Sequence, residues 1–577
     1  MIDLKKWLPI NKKELKIRNW EEVDVIIISG DAYVDHPSFG HALIGRLIEN
    51  EGFKVAILAQ PNWRDDLRDF KKLGKPRLFF GITSGAMDSM VNHYTAFKRL
   101  RSDDAYTAGN VSGFRPDYAA TIYSQIVKRL FPDSLVILGG VEASLRRFTH
   151  YDYWSNSLLP PILAESKADL LVYGMGEKPI LEILNVFKNK PNPNINDFKD
   201  VPQICYLSNN SHEEGLLLHS HEDCLQSKEN FAENFKIIET ESNKINAKKI
   251  IQAINNQFLI VNPPAALMTS SELDAVYDLP FTRLPHPSYS KRGEIPAFTM
   301  INCSVNIHRG CFGGCSFCSI SMHQGKFITN RSEKSILKEV EKISKMPYFK
   351  GFITDLGGPS ANMYRMQGIQ TDICRKCSRP SCIYPSICSN LNFNHQPLLS
   401  LYRKAKQINA IKKITIGSGI RYDMLQFKQK DKTYHLEEYT KELICNHVSG
   451  RLKVAPEHTE NHVLKLVRKP SYTNFLAFKK TFDTINETYQ LKQQLIPYFI
   501  SSLPGCNLND MKALSLKIKN LNYHLEQVQD FTPTPMTLSS VIFYTGINPY
   551  TKEKVFCETN IQKKREQNSF FFKKSKK

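Results

Sequence analysis

Five apolar runs in the first third of the chain limit the fold more than any other feature. They are "VDVIIIS" (Val23 to Ser29), "FKVAILA", "RLFFGIT", "SLVILGG" and "ADLLVYGMGE". Most of them stay apolar instead of alternating with polar residues, so they read as strands buried on both faces. Helix-length segments separate them: Ser38 can cap one that runs through Glu49, and another ends near Phe131. Buried strands joined by helices make a parallel, doubly wound sheet, which sets the class as α/β.

At 577 residues the chain is too long for one small core, and its pattern divides it further. Residues 1–190 read as the N-terminal doubly wound α/β domain. Residues 191–293 lose the alternation: "NKPNPNINDF", a polar stretch from Ser220 to Asn230 and "PPAALMTSSELDAVYDLPFTRLPHPSY" read as an irregular connecting strap. The alternation resumes over 294–562 with "AFTMINCSV", "FKGFITDLGG", "KKITIGSG", "GRLKVAPE", "QQLIPYFISSLPG" and "EQVQDFTP". Between the first two of these runs, Ser332 can cap a helix that carries Ile336, Leu337, Val340 and Ile343 on one face. Six strands with right-handed crossovers form a closed or nearly closed β/α barrel, with function at the strand C-terminal ends. Residues 563–577 read as a loose basic end.

The longest apolar runs fall well short of a membrane span, and Trp7 and Pro9 interrupt any signal-peptide layout in Met1 to Ile10. The expected compartment is therefore the cytoplasm. There, 13 cysteines are many, and an odd number argues against a disulfide framework. Lys and Arg total 77 against 57 Asp and Glu, a formal charge of +20. Such an excess suits a nucleic-acid partner or, as the better reading here, lysines decorating solvated faces. In "SLRRFTHYDYWSN", Arg146, Arg147, Tyr151, Tyr153 and Trp154 could stack on a base, although an aromatic patch at a domain interface fits them better. His286, His395 and His458 have no partner spacing that lifts them above ordinary histidines.

Seven of the cysteines lie between Cys311 and Cys388, in two groups. "RGCFGGCSFCSI" places Cys311, Cys315 and Cys318 in one glycine-bearing loop. Three thiolates can hold three irons of a 4Fe-4S cubane and leave the fourth iron open to a chelating small molecule. Gly310, Gly313 and Gly314 let the backbone wrap the inorganic core closely. The competing reading is a zinc knuckle with His308 or His323 as a distant fourth ligand. The second group, "CRKCSRPSCIYPSIC", carries Cys374, Cys377, Cys382 and Cys388. Four thiols can close a zinc site or hold an auxiliary iron-sulfur cluster, against a reading as plain reduced thiols.

The first loop resembles the radical SAM signature, with Phe317 at its aromatic position. "PAFTMINCSVNIHRGCFGGCSFCSI", "GSGIRYD", "LKVAPEHTENHVLKLVRKP", "PYFISSLPGC" and "VQDFTPTPMTLSSVIFYTGINP" together resemble the YgiQ family of radical SAM proteins, from about Asp24 to Thr551. The resemblance implies that Cys311, Cys315 and Cys318 bind a 4Fe-4S cluster and that S-adenosylmethionine (SAM) chelates its open iron. Gly357 and Gly358 in "DLGGPS" match the strand-end glycine pair that contacts the methionine amino group, with Pro359 where many members have Glu. Ser418, Arg421 and Glu457 stand where related enzymes contact ribose or carboxylate, against an equal reading as residues that structure their loops. The implied activity is reductive cleavage of SAM to a deoxyadenosyl radical that acts on a substrate, RNA or another macromolecule among the candidates. The electron would come from a donor such as a flavodoxin-type protein.

The first domain then corresponds to a degenerate cobalamin-binding-like domain or a substrate lid, with no cobalamin expected. Asp35 and His36 are adjacent, and Gly40 follows four residues later, so the D-x-H-x-x-G spacing is absent. The rival from another class is a zinc-containing nucleic-acid-binding protein without redox chemistry.

Overall fold

The computed structural model describes residues 3–210, 214–427, 432–519, 521 and 528–572, and these form two compact units. The first comprises Met1–Ile238, Asn246–Met268 and Ala275–Asn302. The second comprises Glu239–Ile245, Thr269–Asp274 and Cys303–Lys577.

In the first unit the five apolar runs become β1 (Val25–Ser29), β2 (Val55–Ala59), β3 (Phe79–Thr83), β4 (Leu135–Leu138) and β5 (Leu170–Val172). They pair in parallel in the order β2-β1-β3-β4-β5. Residues 191–293 are more regular than their sequence suggests. They add β6 (Ile204–Ser208), β7 (Leu216–Leu218), β8 (Ile250–Ile254) and β9 (Gln257–Val261), extending the sheet to nine strands in the order β5-β6-β9-β8-β7. The polar stretch near Ser220 is helical, over His221–Gln226 and Lys228–Ser242, with Ser220 forming a capping box with Asp223. The helix Gly40–Asn50 starts without a side-chain cap, because Phe39 and not Ser38 occupies its N-cap position.

Strand order reverses direction at β1, so the C-terminal ends of β1 and β3 flank the crevice where doubly wound sheets bind ligands. Here Arg115 fills that crevice. Its Nη1 donates to the Ser84 carbonyl at 3.0 Å, its Nη2 lies 3.2 Å from Asp31 Oδ1, and it forms a fork with Asp104. The glycines at the rim permit this closeness: a Cβ on Gly30 would lie 2.1 Å from the Ser84 oxygen, and one on Gly85 would lie 2.0 Å from Asp31. Asp35 is held by Arg46 at 2.6 Å and by the Thr282 N–H at 2.9 Å. The aromatic–arginine segment is also interior. Arg146, Arg147, Tyr151 and Tyr153 are buried, with Arg146 2.8 Å from Asp88 and Tyr153 bonded to the Ala96 carbonyl at 2.6 Å. That burial rules out base stacking by these four side chains.

The second unit is a partial β/α barrel of parallel strands. They are β10 (Ser304–Asn306), β11 (Phe352–Ile353), β12 (Asp355–Gly357), β13 (Lys413–Ile414), β14 (Arg451–Glu457), β15 (Gln494–Ser501) and β16 (Val528–Asp530). β10 pairs with β12, β11 with β13, and β14–β15–β16 form a ladder, all in parallel. Thr354 interrupts what the sequence presents as one strand from Phe352 to Gly357. The helix capped by Ser332 runs over Glu333–Ser344 and buries Ile336, Val340 and Ile343.

Two local expectations fail in this region. "AFTMINCSV" is not one strand: Pro296 starts a helix over Pro296–Ile301, and only Ser304–Asn306 is extended. A proline at the first helical position loses no hydrogen bond, and that start signal outweighs the β-branched residues behind it. Residues 563–577 are not simply a loose end. Asn560 caps a helix over Ile561–Ser569 that buries Lys564 and Gln567, and Lys564 donates to the Phe531 carbonyl at 3.0 Å. Residues 573–577 lie outside the described residues.

Candidate functional site

The C-terminal ends of successive barrel strands each deliver part of one site. After β10, a two-residue antiparallel bridge between His308–Arg309 and Thr329–Asn330 closes off the first cysteine loop. Gly310 crosses under the bridge with φ of 86°, where a Cβ would lie 2.3 Å from the Phe327 oxygen. Phe312 is buried with Met363, Met366, Ile383, Leu391, Phe393 and Met424, which fixes the loop to the second unit's core. Ser316 locks the far side: its N–H donates to the Val467 carbonyl at 3.2 Å, and its hydroxyl pairs with Ser539 at 2.7 Å.

Within this frame Cys311, Cys315 and Cys318 lie close together, and none is in a disulfide. The Gly313 N–H points at Cys311 Sγ from 3.4 Å, and the Cys318 N–H donates to the Cys315 carbonyl at 3.1 Å. Burial pushes the Cys318 thiol up to about 12, with the neighbouring Cys315 adding to the effect, and Cys311 moves the same way for the same reasons. Thiols so placed give up their protons to a metal, which favours the thiolate. Phe317 is half-buried between Ser316 and Cys318.

β13 leads to Arg421, which is buried and aims Nη1 at Cys315 Sγ from 3.7 Å. Its Nε and Nη2 are held by Asp423 at 2.9 and 2.6 Å. Burial alone would raise the Asp423 pKa, but Arg421 holds it below the usual carboxylate range. The guanidinium reaches the cysteine because residue 313 is glycine: a Cβ there would lie 2.4 Å from Nη1.

β14 ends at Glu457, which is buried at φ of 68° beyond a register shift. Burial raises the Glu457 pKa, and Lys469 opposes the rise from 3.4 Å. Lys469 is itself buried and acts electrostatically on Cys311.

β12 ends at Gly357 and Gly358. A Cβ on Gly357 would lie 2.3 Å from Ser418 Oγ, and one on Gly358 would lie 2.6 Å from the His308 ring. Ser418 is occupied by Asp355, with its hydroxyl 2.7 and 2.8 Å from the two carboxylate oxygens. Burial raises the Asp355 pKa despite these bonds. Burial also brings His308 down to about 3, so it is neutral near pH 7.

Gly357, Gly358, Ser418 and Arg421 therefore all stand at strand ends of the barrel that carries the three cysteines. Sequence reasoning did not single out Asp423, Lys469 or Asp355, and it named His308 only as a zinc ligand, whereas the fold packs its ring against Gly358. "RYD" and "RKP" held the first two in plain view, yet a lone charge carries no signal until the fold pairs it.

The second cysteine loop packs on the first. The Cys382 N–H donates to the Phe312 carbonyl at 3.0 Å, and a Cβ on Gly314 would lie 2.2 Å from the Pro380 oxygen. Cys374, Cys377, Cys382 and Cys388 interact electrostatically with one another. Among the described residues, no group of three or more His, Cys, Asp or Glu side chains stands ready to hold a metal ion. The fit to a cluster at the first loop rests instead on a soft three-thiol donor set, a glycine backbone that admits close approach, and two buried cations beside the sulfurs. His286, His395 and His458 are buried; His458 Nε2 lies 3.4 Å from Cys506 Sγ. None of the described helices is long and apolar enough to cross a membrane.

The family model described as radical SAM N-terminal matches residues 7–304, ending just ahead of the cysteine loop. A UPF0313 protein of Bacteroides thetaiotaomicron is 56% identical over 98% of this chain and 94% of its own length. One from Porphyromonas gingivalis is 54% identical over 98% and 90%. Among solved structures, the radical SAM methyltransferase TsrM from Kitasatospora setae, with cobalamin and a [4Fe-4S] cluster bound, aligns with a TM-score of 0.47 at 14% identity, covering 89% of this chain and 74% of TsrM. The cobalamin-dependent SAM radical enzyme OxsB aligns with a TM-score of 0.49 at 12% identity, over 87% and 52%.

Proposed function

This chain belongs to the UPF0313 family of radical SAM proteins, which contains YgiQ, and on that footing we propose that Cys311, Cys315 and Cys318 hold a 4Fe-4S cluster whose open iron takes SAM. When bound, the pair supplies one-electron cleavage of the sulfonium and a deoxyadenosyl radical that takes hydrogen from a substrate. The observation that carries the reading is the Arg421 contact with Cys315 at 3.7 Å inside a glycine-lined, three-thiol loop.

The residues divide the work by position. Arg421 and Lys469 offset the negative charge of three thiolates in a site with little water. Asp423 and Glu457 hold those two cations in place and keep the local charge near balance. Gly357 and Gly358 at the end of β12 leave room for Ser418, which is held by Asp355, and for the His308 ring. Phe317 is half-buried within the loop, and the Phe312 core anchors the loop so that it does not relax when loaded. The electron comes from a donor such as a flavodoxin-type protein.

Iron and acid-labile sulfide analysis after anaerobic reconstitution, with electron paramagnetic resonance of the reduced protein, tests this reading. The expected result is a cluster signal that SAM perturbs and that Cys315→Ala removes. Zinc bound at this loop without iron or sulfide would refute it.

A further inference from the structure

Lys326 is an ammonium group buried to 1% exposure. Among the described residues it pairs with no carboxylate. Its Nζ donates to the Arg379 carbonyl at 2.9 Å, lies 3.9 Å from Cys377 Sγ, and sits 5.0 Å from the Phe327 ring. A buried charge without a counter-charge is strongly unfavourable, so its retention points to an anion at the place it faces. What it faces is the second cysteine loop.

We propose that Cys374, Cys377, Cys382 and Cys388 form a second metal centre, a four-thiolate site for a thiophilic metal, with Lys326 as its buried counter-cation. The charges balance in that direction. Each thiol releases its proton on binding, and four thiolates around one zinc ion or one iron-sulfur core leave a net negative centre beside the ammonium. A second donor is already aimed at a sulfur: the Asn390 side-chain N–H lies 3.4 Å from Cys374 Sγ. Gly368 makes room beside that pair, where a Cβ would lie 2.3 Å from the same sulfur and 3.1 Å from the Asn390 amide nitrogen. Outer donors of this kind orient thiolate ligands and tune the metal.

The segment around Lys326 also serves the first loop. The Gly325 carbonyl accepts from the Cys311 N–H at 3.1 Å, and the Gln324 side chain accepts from Gly310 at 3.2 Å. One short stretch therefore supports both cysteine groups. The second centre stands on its own observations and does not depend on SAM chemistry at the first.

The test uses the full chain, reconstituted anaerobically with iron and sulfide in one sample and with zinc in another. Metal and sulfide are counted per chain in the wild type, in a Cys311→Ala/Cys315→Ala/Cys318→Ala variant and in a Cys374→Ser/Cys377→Ser variant. The expected result is a metal beyond the first-loop cluster: the first-loop variant retains it, and the second-loop variant carries only the metal of the first loop. Zinc without sulfide would identify a single ion, and iron with sulfide a cluster; either supports the proposal. Lys326→Met should weaken retention against a chelator by roughly 10- to 100-fold.

A folded first-loop variant that holds no metal under either condition would overturn the proposal. This readout needs no second-loop variant to fold, and it does not change if the wild type fails to cleave SAM.

Discussion

Replacing Arg421 by methionine removes one half of a buried ion pair and leaves Asp423 facing it at the site's edge. The fork is close, at 2.9 and 2.6 Å, and both groups are largely shielded from water. Breaking such a pair from one side is expected to destabilise its surroundings by about 3–5 kcal/mol. Arg421→Met/Asp423→Asn removes both charges and should recover a large part of that loss. Asp423→Asn alone keeps an acceptor for the guanidinium and should lose roughly 1–3 kcal/mol.

Hydrogen exchange of the segment 416–425, followed by mass spectrometry, reads this locally, with each tenfold loss of protection equal to about 1.4 kcal/mol. The sign of the pH dependence is a second check. With Arg421 present, the Asp423 pKa is lowered, so its contribution holds above the ordinary carboxylate value of about 3.9 and is lost as pH falls toward the folded value. Without Arg421, burial dominates and raises the pKa, so stability should instead fall as pH rises. An Arg421→Met loss below about 1 kcal/mol, or a double variant no better than the sum of the singles, would refute the claim that the pair is a coupled structural unit.

Two further substitutions probe the loops. Gly314→Ala adds a side chain at φ of 62°, 2.2 Å from the Pro380 oxygen, so it combines a left-handed backbone cost of about 1–2 kcal/mol with a clash against the second loop. Iron incorporation should drop well below that of the wild type, and normal loading would show that the two loops separate freely. Ser418→Ala removes the hydroxyl that the two Asp355 oxygens share, at a cost of about 1–3 kcal/mol. Since the Asp355 pKa is already raised, stability falls as pH rises from the unfolded toward the folded value, and the variant should lose more at pH 7 than at pH 4 in thermal unfolding.

The first five strands were plain in the sequence because burial on both faces leaves almost nothing polar along "VDVIIIS" or "RLFFGIT". The later strands β6, β8 and β9 were not, because "ICYLS", "IIQAI" and "QFLIV" are short and sit among proline, asparagine and acidic residues that dominate any window around them. The tail helix was hidden by its lysines: only packing shows that Lys564 points inward to the Phe531 carbonyl. At the site, the three cysteines announced themselves by spacing. The paired charges did not: Arg421 and Asp423 are close in sequence, and Lys469 follows the strand that ends at Glu457, but neither spacing shows that the pair is buried beside the sulfurs. Ser418 shows the opposite limit, since its motif suggested a ligand contact and the fold gives its hydroxyl to Asp355.

The central claim is that the three-cysteine loop supports reductive cleavage of SAM. The direct measurement incubates the anaerobically reconstituted full chain with dithionite and SAM and follows 5′-deoxyadenosine by chromatography, with Cys315→Ala beside it. The account predicts deoxyadenosine from the wild type and none above background from the variant. Equal traces from both, in wild-type protein that carries iron and sulfide at this loop and binds SAM, would contradict it.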